Sequence, residues 1–196
     1  MDLPLPPERR TVIDGLPATV IELADPSLVL LIGVTGAGKS TFAARHFRAT
    51  EVLSSDAFRA LVADDETDQT ATADAFELLH LAVDRRLARA RLTVVDATSV
   101  LPSARRPLLQ MAQRRGVPVA AIVLDLPAEL TAARNAARTA RVVPVDVQRR
   151  QARALRRSLP ALVGEGFAAI WLLRTSEAVE GAVVQRRARG QPVGAA

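Results

Sequence analysis

The chain contains no cysteine. That excludes disulfides and thiolate metal sites, and it makes the cytoplasm the default compartment. Aromatic residues are only 3% of the sequence, too few for a base-stacking platform of the RNA-binding kind. No apolar run approaches the roughly 18 residues that a membrane-spanning helix needs, and the N-terminus lacks the layout of a signal peptide. Lysine is the scarcest charge: Lys39 is the single lysine among 26 Lys and Arg residues. The formal net charge is +5 and the isoelectric point is about 11.1. Two readings of that charge stand level, arginine as a general surface residue and affinity for phosphates or nucleic acid.

At 196 residues the chain suits one domain with a short appendage, and a domain of that size buries a core without staples. The stretch at 29–41, Val-Leu-Leu-Ile-Gly-Val-Thr-Gly-Ala-Gly-Lys-Ser-Thr, organises it. A continuous apolar run predicts a buried strand. The chain then turns through Gly33, Gly36 and Gly38 and enters a predicted helix at 39–47. This is G-x-x-x-x-G-K-[ST] with a strand before it and a helix after it, the context that separates a P-loop from an ordinary glycine-rich turn. Glycines let backbone N–H groups converge on a phosphate, and the helix N-terminus adds partial positive charge there. Lys39 would reach the β- and γ-phosphates of ATP, Ser40 would coordinate Mg²⁺, and Thr41 would bond an inner phosphate. A compact ammonium suits that contact in a way a planar guanidinium does not.

The remaining pattern alternates strands with helices. One edge strand is expected near 18–23, ahead of core strands at 28–32, 51–56, 92–96, 117–124 and 167–173. Helices are expected at 57–63, 72–91, 103–115, from 127, from 146, and at 177–186. The long helix at 72–91 should face the sheet through Phe76, Leu79, Val83 and Leu87; His80 beside that stripe, and His46 in the P-loop helix, are expected to be packing residues. The domain division is 1–26 as an N-terminal extension, 27–186 as the P-loop domain and 187–196 as a flexible tail. The expected fold is α/β, a five-stranded parallel sheet flanked by helices, with an arginine-bearing lid. In such sheets ligands bind beyond the carboxyl ends of the strands. The P-loop, Asp56, Asp96 and the segment after Leu124 all fall there.

Asp96, closing an apolar strand, is a candidate outer partner of Mg²⁺, or else a helix or turn cap. Asp56 is the best candidate general base, or the N-cap of the next helix. Arg59 lies one turn on and faces the same way. Arg134, Arg138 and Arg141, at i, i+4 and i+7, would line one helical face as a lid over the triphosphate, or form a solvated face in an arginine-rich chain.

Several segments together resemble the 5′-kinase domain of bacterial polynucleotide kinase-phosphatase. They are Leu28-Val-Leu-Leu-Ile-Gly with Gly-Ala-Gly-Lys-Ser-Thr-Phe, Val52-Leu-Ser-Ser-Asp-Ala-Phe-Arg, Asp64-Asp-Glu-Thr-Asp-Gln-Thr, Leu92-Thr-Val-Val-Asp-Ala-Thr, Ser103-Ala-Arg, and Arg134-Asn-Ala-Ala-Arg-Thr-Ala-Arg. Their order extends over about 28–179. The resemblance implies that Lys39 and Ser40 bind ATP and magnesium, that Asp56 activates a polynucleotide 5′-OH, and that Arg59 contacts the adjacent phosphate. It places Gln69 in the acceptor site and Arg134 and Arg138 in the lid. Ser99 stands where the family usually has asparagine. The larger members of that family carry phosphatase and ligase-like modules after the kinase, so such modules are expected partners in cis or in trans, and the chain is expected to be either a stand-alone kinase or an excised domain. Two other functions suit the same scaffold: a P-loop kinase of a small metabolite, and a nucleotide-dependent switch without phosphoryl transfer. The pairing of Asp56 with Arg59 argues against the switch, which needs no acceptor base.

Overall fold

The computed structural model describes residues 10–12, 19–138 and 142–188. Its centre is set by the apolar runs. Strands β3 (Leu28–Gly33), β5 (Thr93–Asp96) and β6 (Val119–Leu124) are buried at every position, as strands covered on both faces must be. With β1 (Arg10–Val12), β4 (Val52–Ser54) and β7 (Ala169–Leu173) they form one parallel sheet in the order β1-β7-β6-β3-β5-β4. The five expected core strands are its body. The short β1, which falls in the expected extension, adds a sixth strand at the edge, with Arg10 opposite Ala169.

Helices α1 (Lys39–His46), α2 (Ser55–Ala63), α3 (Thr72–Ala88), α4 (Pro102–Arg114), α5 (Ala128–Ala136) and α6 (Val145–Ser158) make the crossovers. The stripe of α3 is Ala75, Leu79, Val83 and Leu87, all buried, while Phe76 is half-buried one position off it. His46 packs on Phe42 with ring centres 4.4 Å apart, and His80 meets the edge of Phe76 at 6.0 Å. From β3 the chain goes first to one side of the sheet (β4, β5) and then to the other (β6, β7). The crevice at that reversal lies at the carboxyl end of β3, where the P-loop begins.

Two expectations are corrected. The helix read at 177–186 is α7 (Ser176–Gly181) followed by a strand, β8 (Val183–Ala188). Thr175 starts the helix, its Oγ1 accepting the N–H of Ala178 at 3.1 Å. The β-branched pair Val183-Val184 then favours extended backbone. The expected early strand is β2 (Val20–Asp25), but it does not lie on the main sheet. It pairs with β8 in a separate two-stranded parallel ribbon, Ile21 and Leu23 buried beneath it. Arg186 of β8 donates through both Nη atoms to Glu51, at 2.8 and 2.7 Å, and fixes the ribbon to the end of the P-loop helix unit. Among the described residues no helix is long and apolar enough to cross a membrane.

Candidate active site

The candidate phosphate cradle is built from backbone geometry that favours glycine. Gly36 has φ +84°, and a Cβ there would meet the carbonyl oxygen of Thr131 at 2.2 Å. Gly38 has φ +90° and caps α1 without a side-chain hydrogen bond. No acidic residue occupies the first turn of α1, so its N-terminal N–H groups and their partial positive charge remain available to an anion. Gly33 ends β3, and its N–H donates to Thr98 O at 3.2 Å.

Lys39 is folded back onto its own loop. Its Nζ donates to Gly33 O at 2.9 Å and to Val34 O at 3.0 Å. Burial lowers its pKa from 10.5 to about 8; Asp96 opposes that shift and Arg138 adds to it. Asp96 and Arg138, both expected at the nucleotide site, therefore already act electrostatically on Lys39.

A cleft of about 550 Å³ opens beside the cradle. Ser40, Ser54, Asp56, Glu66, Asp96 and Arg138 are its polar lining. Asp96 is 6% exposed at the end of β5, in register with Ser54 of β4. Ser54, not Asp56, caps α2: its Oγ accepts the N–H groups of Asp56 at 3.3 Å and Ala57 at 3.5 Å. Asp56 is thereby released from the capping role and sits in the first turn facing the cleft. Arg59, 5% exposed, pairs with Asp56 through Nη2 and donates from Nε to Glu66 O at 3.0 Å. The acidic connection is two repeated Asp-x-Thr turns. Asp65 accepts from the N and Oγ1 of Thr67, both at 2.8 Å, and Asp68 from the N and Oγ1 of Thr70 at 2.8 and 2.7 Å. Glu66, on the first of these turns, is a cleft residue the sequence did not single out; the doubled Asp-x-Thr pattern was the available signal.

The expected arginine face is not one face. Helix α5 ends at Ala136, because Asn135 turns its side chain to Val143, donating to its carbonyl at 2.8 Å and accepting its N–H at 3.0 Å. Arg134 and Arg138 consequently reach different places. The Arg134 guanidinium lies over the loop, its Nη1 3.6 Å from where a Gly38 Cβ would be, and Nη2 donates to Ser176 Oγ at 3.4 Å. Arg138 lines the cleft. Arg141 lies outside the described residues. Thr41 is exposed on α1, and Gln69 is exposed, donating to Thr67 O at 2.9 Å; neither lines the cleft. A second cavity, of about 320 Å³, is lined by Val34, Asp125, Thr131, Arg156 and Arg174 among others. Burial pushes the Asp125 carboxyl up, against the pull of Arg174 and Arg156.

The profile of a family described as an AAA domain matches residues 28–162, from β3 through α6, and so spans the whole cradle and cleft. The chain belongs to the AAA domain family. In coarse terms this AAA domain is of the P-loop kinase type. No curated protein matches it. Among solved structures it is similar to one in the Pnkp1/Rnl/Hen1 RNA repair complex, at 20% identity and TM-score 0.61, over 71% of this chain and 47% of that one. A putative kinase from Chloroflexus aurantiacus J-10-fl is 14% identical with TM-score 0.53, over 76% and 88% of the two chains. A gluconokinase from Sinorhizobium meliloti 1021 is 19% identical with TM-score 0.49, over 81% and 93%. For the first two of these the likeness, at such identities, is one of fold. The AAA domain thus spans about half the length of the RNA repair chain it resembles.

Proposed function

We propose that this AAA domain is an ATP-dependent polynucleotide 5′-hydroxyl kinase, transferring the γ-phosphate of ATP to the 5′-OH ends of RNA or DNA in repair. The observation that carries the reading is the single cleft in which Asp56, Asp96, Ser40 and Arg138 meet beside the P-loop. A nucleotide switch has no use for a carboxylate held by a buried arginine at that place. The glycine cradle suits a triphosphate. Ser40 and Asp96 are the residues that would hold its Mg²⁺, which supplies neutralising charge to the phosphates.

Asp56 takes the proton of the acceptor hydroxyl. The freed oxygen attacks the γ-phosphorus, the bond to the β,γ-bridging oxygen breaks, and ADP leaves with the electron pair. Lys39, leaving the carbonyls of Gly33 and Val34, and Arg138, from the cleft wall, offset the charge on the transferred group. Arg134 steadies the nucleotide over Gly38. Arg59 holds the Asp56 carboxylate aimed at the cleft, and the phosphate next to the 5′ end is its further ligand. Gln69 contacts the acceptor strand beyond the cleft, and Thr41 an inner phosphate. The kinase unit is 27–186, working in the cytoplasm with phosphatase and ligase modules in cis or in trans.

The test is transfer of label from γ-labelled ATP with Mg²⁺ to a short 5′-OH oligonucleotide, beside a 5′-phosphate control. Label is expected on the 5′-OH strand alone, and Asp56→Ala should lower the rate roughly 10²–10⁴-fold while ATP binding persists. Label on a small metabolite and on neither strand would replace this acceptor with the metabolite. Full activity in Asp56→Ala would remove the base assignment.

A further inference from the structure

The apex of the P-loop is held by two side chains that none of the motifs include. Gln148 and Gln151 lie on one face of α6, three residues apart. Gln148 is 6% exposed, and its Nε2 donates to Thr35 O at 3.0 Å and to Thr131 O at 2.9 Å. Gln151 Oε1 accepts the N–H of Thr35 at 2.9 Å. One P-loop residue therefore has both backbone polar groups tied to side chains of a helix more than a hundred positions later. Two donors are needed at 148 and one acceptor at 151, and an amide is the neutral side chain that meets either need at that reach.

The same carbonyl, Thr131 O, is the atom a Cβ on Gly36 would strike. The next peptide of the loop is thus packed against the group Gln148 holds. Asn135 closes α5 onto Val143, just before α6 begins. The P-loop apex, α5 and α6 form one hydrogen-bonded seam, and Arg134 and Arg138 extend from it.

From this we infer that Gln148 and Gln151 are positioning residues for the phosphate cradle. They fix the Thr35 peptide plane, withdraw its N–H from competition for phosphate, and set the direction in which Gly36 and the N–H groups after it point. They also couple the loop to the arm that carries the two arginines. The inference rests on the reading that the P-loop holds a triphosphate, and it is independent of which acceptor is phosphorylated.

Gln148→Met and Gln151→Met keep approximate volume and remove the hydrogen bonds. The dissociation constant for Mg²⁺–ATP is measured by calorimetry and the melting temperature is measured without nucleotide. Each variant is expected to weaken ATP roughly tenfold, the loss expected when a buried polar partner is removed. The double variant should lose less than the product of the two, since both side chains grip one residue. Ser158→Ala is the control. Ser158 is buried on the same helix and its hydroxyl donates to Val100 O at 2.8 Å, away from the loop. It should lower the melting temperature and leave the ATP dissociation constant within about twofold. Gln148→Met and Gln151→Met behaving as Ser158→Ala does, less stable but with unchanged ATP affinity, would overturn the inference. Half-buried Gln151 gives the reading even where Gln148→Met folds poorly. Wild-type protein that does not bind ATP would instead overturn the reading of the P-loop itself.

Discussion

If the P-loop holds ATP as proposed, Lys39 should make that binding depend on pH above about 8. Without nucleotide its ammonium is buried against the carbonyls of Gly33 and Val34 and faces Arg138, and these surroundings bring its pKa from 10.5 to about 8, against the pull of Asp96. Holding a protonated lysine there at neutral pH costs about 3 kcal/mol relative to water. A triphosphate reverses the balance by supplying the counter-charge, so the bound state keeps its proton to higher pH. The sign follows. Below about pH 8 free Lys39 is charged and ATP affinity is flat. One pH unit above, about one molecule in ten carries the proton, and affinity should fall roughly tenfold for each further unit until the bound-state pKa is reached. Calorimetric titration of Mg²⁺–ATP from about pH 7 to pH 9.5, in two buffers of different ionisation enthalpy, reads both the affinity and the proton uptake. Asp96→Asn removes the supporting charge and should move the onset to lower pH; Arg138→Ala should move it higher. Lys39→Arg should bind ATP weakly and without this pH dependence. Wild-type affinity that stays level to pH 9.5 would refute the reasoning, because the buried ammonium would then be titrating as if in water. The nucleotide-free protein should also gain stability as pH rises from about 8 toward 10.5, where the unfolded chain binds the proton that the native site has lost.

Arg105 is fully buried, donating to Glu165 Oε2 at 2.7 Å and to Ser99 O at 2.8 Å; Arg105→Met should cost about 3–5 kcal/mol in urea denaturation, since it strands the carboxylate, and a loss below about 1 kcal/mol would refute that. Gly36→Ala should abolish ATP binding, because its Cβ would lie 2.2 Å from Thr131 O at φ +84°; normal ATP titration of a folded Gly36→Ala protein would show that the loop has room. Glu51 is held below its ordinary pKa: burial raises it, but the pairing with Arg186 and the N–H of Arg48 outweigh that. Its contribution is present above about pH 4.5 and lost as pH falls further, so the stability gap between wild type and Glu51→Gln should narrow on acidification, and a constant gap would contradict the pairing.

The sheet was legible because its central strands are uninterrupted apolar runs and its P-loop is a local pattern. The candidate cleft was legible in its acids and glycines for the same reason: Asp56, Asp96 and Ser40 each close or open a local element. What escaped depends on pairs distant in the chain. Gln148 and Gln151 are unremarkable polar residues on an arginine-rich helix until Thr35 is beside them. The end of α5 turns on Asn135 meeting Val143, so i, i+4, i+7 spacing ran past the true terminus. Helical reading of 177–186 failed because the strand at Val183–Ala188 exists only through β2. Ser54 took the cap that Asp56 could have filled, a choice made by the exit of β4 and invisible in composition.

The β2–β8 ribbon also fixes when its own early strand can be covered. Arg187 and Glu22, paired across it, are 165 positions apart, and among the described residues β8 is the strand that pairs with β2, which carries Ile21 and Leu23. A chain emerging from the ribosome can assemble the strands from β3 to β7 in order, but its early apolar strand must wait, uncovered, until β8 has been released. Closure of the ribbon is then a late step that brings segments flanking the AAA domain together beside Glu51, at the end of the P-loop helix unit. A circular permutant linking the segments that flank the ribbon would shorten the chain separation of this pairing, the longest among the described strand pairs. It should fold faster with the same cradle.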